Sequence, residues 1–164
     1  FDREVRLRSF TNGKQDMPLV SKLYRNVFLE FFCKVTKLDY SEWGHAQVFH
    51  LSKCIESYEF PNLNHIQMRG DIIGDSGVEC LAKALQSKTD RGTSTTPALK
   101  FLHIQPGRVR DSGCIACAEL ICGLPSLRVL HFHNAGLNDD SCQLLVDKIR
   151  QNPNIPGQLR VIIQ

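Results

Sequence analysis

LNHIQMRGDIIGDSGVECLAKAL, residues 63–85, lies column for column over LKFLHIQPGRVRDSGCIACAELI, residues 99–121, and LRVLHFHNAGLNDDSCQLLVDKI, residues 127–149. Each stretch opens as L-x-x-[LI]-x-[MIF], turns, and meets one apolar residue: Ile73, Val109 or Leu137. An Asp-containing segment follows, then apolar residues three and four apart. The opening alternates with a period of two and predicts a strand, whereas the closing run predicts a helix. Upstream, VTKLDY from Val35 keeps the apolar spacing and LRSF from Leu7 keeps part of it; LRVII from Leu159 opens a further copy. Starts at 7, 35, 63, 99, 127 and 159 differ by 28, 28, 36, 28 and 32, so a 28-residue unit recurs with two insertions.

A unit of one strand and one helix cannot bury its apolar face alone, so such units stack. Stacking sets Leu63, Ile66 and Met68 against Leu99, Leu102 and Ile104, then Leu127, Leu130 and Phe132. The helices close the core with Val78, Leu81 and Leu85; Ile115, Ala118 and Ile121; and Leu144, Leu145 and Ile149. Earlier helices are expected in SKLYRNVFLEFF and AQVFHLSKCIESY. Residues 87–97, polar with Gly and Pro, read as a flexible loop, and 151–157 as a Pro-rich connection.

The pattern resembles the leucine-rich repeat, in particular the ribonuclease-inhibitor-like class with units of about 28 residues. That resemblance implies an α/β solenoid, a horseshoe segment of about five units with parallel inner strands and outer helices. One repeat domain is expected over residues 1–164, part of a longer protein, with weak repeats in 1–62, clear ones in 63–150 and a partial one in 159–164. The family usually has Asn or Cys at the ninth repeat position, where this chain has Trp43, Asp71, Gly107 and Ala135.

Composition narrows the function classes. With 42% hydrophobic and 23% charged residues the chain is an ordinary globular one, and its net charge of +3 is spread along it. Neither a nucleic-acid track nor a membrane span is expected. Seven irregularly spaced cysteines do not form a disulfide framework, which with the lack of a glycosylation sequon suggests an intracellular, cytoplasmic setting.

The motifs that suggest chemistry are better explained by the repeat. GDSGV at 74–78 looks like the surroundings of a serine nucleophile, but RDSGC at 110–114 and NDDSC at 138–142 occupy the same place in their units. Asp75, Asp111 and Asp139, or the adjacent serines, are expected to cap helices, with Ser76 and Glu79 at capping-box spacing. Cys114, Cys117 and Cys122 share one helix without the second pair a zinc site needs. No catalytic residue, metal or cofactor is expected.

Repeat positions 3, 5 and 7 face away from the core and line the expected concave wall. There stand Lys37, Asp39 and Ser41; His65, Gln67 and Arg69; Phe101, His103 and Gln105; and Val129, His131 and His133. Val161 and Ile163 are expected to continue the wall. Four of the six histidines fall on it, and its only carboxylate, Asp39, lies two strands from His103. A mixed aromatic, apolar and polar patch fits a protein-binding surface. The expected partner-binding residues are His65, Gln67, Arg69, Phe101, His103, Gln105, Val129, His131 and His133. The rival readings are a scaffold segment of a cytoskeletal or flagellar assembly, and a GTPase-activating protein using Arg108 or Arg110.

Overall fold

The computed structural model describes residues 13–70, 73–133, 135–151 and 158–164. Helices and strands alternate along it: α1 (Gly13–Lys34), β1 (Lys37–Ser41), α2 (His45–Ser57), β2 (His65–Arg69), α3 (Gly74–Leu85), β3 (Phe101–Gln105), α4 (Asp111–Gly123), β4 (Val129–Phe132), α5 (Asp139–Arg150) and β5 (Arg160–Ile163). The strands form one parallel sheet in chain order, β1-β2-β3-β4-β5. A parallel pair cannot be closed by a tight hairpin, and the helix in each unit supplies the crossover. Parallel strands and intervening helices make an α/β solenoid of the leucine-rich-repeat type. The Leu7 segment, Asp71 and residues 152–157 fall outside the described residues.

The core follows the repeat columns. Leu63, Leu99 and Leu127 are completely buried, as are Ile66 and Leu130, with Leu102 nearly so; Met68, Ile104 and Phe132 form the next buried column. Burying each such side chain contributes roughly 1.5–3 kcal/mol. Helix α4, packed between α3 and α5, buries Cys114, Cys117 and Leu120 as well as Ala118 and Ile121. Ile115, by contrast, is only half-buried, as are Leu144 and Ile149 in α5. These three were expected in the core; Ile149 still packs against it, and the buried positions of α4 are held by Gly113, Cys114, Ala116, Cys117 and Ala118 together with Leu120 and Ile121.

Three further expectations change. The terminal unit is displaced by one residue: Arg160 pairs with Val129, Val161 with Leu130, Ile162 with His131 and Ile163 with Phe132. Val161 and Ile163 therefore take the core-side positions, and Arg160, Ile162 and Gln164 continue the open face. The unit has Gln158 in place of the first leucine, so alignment on Leu159 slips the frame, and a one-residue slip exchanges the two faces.

The aspartates do not cap their own helices. The residues before α3 and α4 are Ile73 and Arg110, with no side-chain cap, while Asn138 caps α5 by accepting from the Ser141 N–H at 2.8 Å. Ser76 lies inside α3, so the Ser76–Glu79 capping box does not form. Asp75 and Asp111 sit in the first turn and reach the next unit: Asp75 Oδ1 accepts from the Arg110 N–H at 2.7 Å, and Asp111 Oδ1 from the Ser141 hydroxyl at 3.0 Å. Gly113 permits the first bond, since a Cβ there would lie 2.6 Å from Asp75 Oδ1.

The 87–97 segment is an ordered turn rather than a loose loop. Lys88 bridges Ser94, the Thr89 N–H donates to the Thr93 carbonyl at 2.7 Å, and Thr95 and Thr96 are buried. The Thr89 and Thr93 hydroxyls bond each other at 2.8 Å, and the Phe60 N–H donates to the Thr95 carbonyl at 2.7 Å. At the other end, α1 meets the rest of the molecule chiefly through Phe32, which packs on Tyr58 and Phe60.

Candidate binding face

The sheet surface away from the helices carries the side chains of repeat positions 3, 5 and 7. Strand pairing sets them in rows: Lys37, His65, Phe101, Val129 and Arg160; Asp39, Gln67, His103, His131 and Ile162; then Ser41, Arg69 and Gln105 in the third. His133 and Gln164 extend the third row, their N–H groups donating to the Ile104 and Phe132 carbonyls at 3.0 and 2.9 Å. All nine residues expected at the site thus lie on one face.

At its centre the face holds a histidine cluster. The His103 and His131 rings stack with centroids 4.3 Å apart, and His133 stands edge-on to them at 6.3 and 6.0 Å. Gln164 Oε1 lies 3.0 Å from His131 Nε2 and 3.4 Å from His133 Nδ1, so one amide oxygen serves two rings. His103 Nε2 is buried and has no hydrogen-bond partner among the described residues. Burial, then the neighbouring His131, His133, Arg69 and His65, pulls the His103 pKa below the ordinary imidazole value. Among the described residues, no group of three or more His, Cys, Asp or Glu is disposed to hold a metal ion.

Beside the cluster, Phe101 leaves 41% of its surface exposed, with the His65 ring against it at a 5.6 Å centroid separation. Burial and Lys37 hold the His65 pKa down, against a small opposing effect of Asp39. Further along, Asp39 accepts from Lys37 at 2.9 Å and from Arg69 at 3.1 Å, and the Lys37 hydrogen bond holds its carboxyl below the usual range. This acid is therefore already matched by two cations.

Arg160, Ile162 and Gln164 were not expected on this face. The Pro-containing connection before them hides the frame, and the one available signal was Gln158 in the column that otherwise holds leucine. Arg108 and Arg110 lie beyond β3 and are exposed. The thiols lie elsewhere: burial pushes Cys114 up to about 11 and Cys117 well above the usual thiol range.

No family model matches the chain. Among curated proteins it is similar to the ribonuclease inhibitor of Sus scrofa, 29% identical over 87 residues, or 53% of this chain. The chain covers 18% of that relative's length. The similarity agrees with the strand–helix repeat and points to a leucine-rich-repeat relationship.

Proposed function

We propose that the chain is a non-enzymatic protein-binding module whose working surface is the open face of the sheet. The observation that carries this reading is the exposed Phe101 set beside stacked, hydrogen-bonded histidines on a face that no helix among the described residues covers. An aromatic anchor ringed by polar groups is the composition of an interface centre and rim. In the GDSG segment the Asp75 carboxylate accepts from the Arg110 N–H, a tie between units that fits the structural reading of this recurring stretch. Seven free cysteines fit a reducing, intracellular setting.

The similarity to a ribonuclease inhibitor supports a binding role but does not carry its partner across. RNA is a polyanion, and a protein that binds it presents lysines and arginines. Lys37, Arg69 and Arg160 on the open face have the same sign.

The test compares the wild-type chain with Phe101→Ala/His103→Ala/His131→Ala in capture from a cell extract, once circular dichroism shows both folded. Glu119→Ala/Lys148→Ala on the helix side is the control. Partners lost only with the triple variant support the open face, and unchanged partners refute it.

A further inference from the structure

We propose that the open face takes an acidic protein segment, one that presents an Asp or Glu carboxylate to the His131–His133 pair and Arg69 and seats an apolar side chain on Phe101 and Val129. The inference rests on the open face being the working surface and adds the chemistry of what it binds.

The charges of the face are one-sided. Strands β2 to β5, with His133 and Gln164, contribute His65, Arg69, His103, His131, His133 and Arg160 and not one carboxylate. The single acid of the face, Asp39 on β1, is already bonded to Lys37 and Arg69. An incoming carboxylate thus meets donors and no uncompensated acid.

Hydrogen bonding is one-sided in the same sense. Gln164 Oε1 is shared by His131 Nε2 and His133 Nδ1. His103 Nε2, itself buried, has no hydrogen-bond partner among the described residues. Each imidazole bears one N–H when neutral and two when protonated, so protonation adds donors that a carboxylate's four lone-pair sites would absorb. The Phe101 ring and the adjacent Val129 in the same row supply an apolar seat within one strand spacing, about 4.8 Å.

A nucleic acid fits this face less well. Its affinity comes from several Lys or Arg side chains along a phosphate track. The described face carries the permanent cations Lys37, Arg69 and Arg160, too few for such a track, and its remaining donors are largely imidazoles.

The groups that face the cluster set its pH response. His103 sees His65 and Arg69 from β2 and His131 and His133 from β4 and its end, while Gln164 after β5 lies on the pair and Arg160 stands beside Val129. All the ionisable groups among these oppose a further positive charge, and a bound carboxylate favours it. A carboxylate that favours the protonated imidazole on binding makes the complex tighter at pH 6 than at pH 8.

The experiment selects binders from a random peptide display library on the folded wild-type chain at pH 6, with counter-selection on Phe101→Ala/His131→Gln/His133→Gln. Synthetic copies of the selected peptides and a poly(U) RNA are then titrated by fluorescence anisotropy at pH 6 and 8. Circular dichroism monitors the fold of every variant. Expected are peptides enriched in Asp or Glu beside an apolar residue, severalfold tighter at the lower pH, with Arg69→Gln and His131→Gln/His133→Gln each weakening them severalfold. Basic or uncharged peptides that still need Phe101 would overturn the acidic-segment proposal while leaving the open face as the binding surface. Selected peptides indifferent to every open-face variant would overturn both. Poly(U) binding as tightly as the peptides, or a library that yields no acid-enriched binder, also overturns the proposal.

Discussion

Gly113→Ala should destabilise the chain, the reverse of what a helical glycine-to-alanine exchange normally does. In a helix interior Ala is favoured by about 0.8–1.0 kcal/mol, and less in a first turn such as this one. A Cβ on Gly113 would lie 2.5 Å from Val109 Cγ1 and 2.6 Å from Asp75 Oδ1. The carboxylate must withdraw, and with it goes the 2.7 Å bond from the Arg110 N–H that ties α3 to the start of α4. A hydrogen bond to a charged group contributes about 1.5–3 kcal/mol, so the net loss is about 1–2 kcal/mol. For a chain of this length that lowers Tm by roughly 2–8 °C. Urea unfolding followed by circular dichroism, with a thermal scan beside it, measures both quantities. Asp75→Ala completes a double-mutant cycle: with the carboxylate gone, alanine at 113 should cost at least about 0.5 kcal/mol less than it does in the wild type. Gly113→Ser should recover part of the loss, because Ser141 holds the equivalent place in the next unit and donates to Asp111 at 3.0 Å. A Gly113→Ala chain as stable as the wild type, or one strictly additive with Asp75→Ala, would refute the reasoning.

Leu102→Ala removes a buried side chain paired in register with Ile66 and Leu130 and should cost about 2–5 kcal/mol, against less than about 0.5 kcal/mol for Glu79→Ala on the exposed side of α3; urea midpoints decide it. Burial lowers the His65 and His103 pKa values in the folded chain, so the unfolded chain binds more protons near the ordinary imidazole value of about 6.5. Their contribution to stability is therefore present above that pH and is lost as pH falls through the folded values. His103→Gln should flatten the decline between pH 7 and 5, and an unchanged slope would contradict this origin. With a thiol-specific reagent at pH 8, exposed Cys33 should react first, while Cys114 and Cys117 should react only on unfolding, since Cys114 titrates near about 11 and Cys117 is buried. Labelling of either in the native chain at the Cys33 rate would show that the core opens there.

The repeat was legible because each unit states its own strand and helix through short-range periodicity. Position 4 and position 6 residues such as Leu102 and Ile104 are apolar, their neighbours Phe101 and His103 are not strictly so, and the alternation still assigns both faces correctly. From that alternation alone His65, His103, His131 and His133 go to one face, and the three matching columns place His103 beside His131. The terminal unit resisted because Val161, Ile162 and Ile163 are all apolar, so the run has no alternation to set its frame. Only pairing with β4 chose it, bringing Ile162, rather than Ile163, beside His131.

The aspartates mark the same boundary from the other side. An Asp before a helical run looks identical whether it caps its own helix or reaches the next, and the choice depended on how closely Gly113 lets two units approach. The histidine cluster was likewise visible as a set of positions, but the shared Gln164 oxygen and the unpartnered His103 nitrogen were not. The sequence by itself determined the strand–helix unit, its repetition and the composition of the open face, because those depend on periodicities within a single unit. Tertiary structure alone decided the frame of the last strand, the ties between units and the hydrogen bonds of the cluster, because each depends on contacts between residues about 30 apart in the chain, where no local pattern constrains the distance.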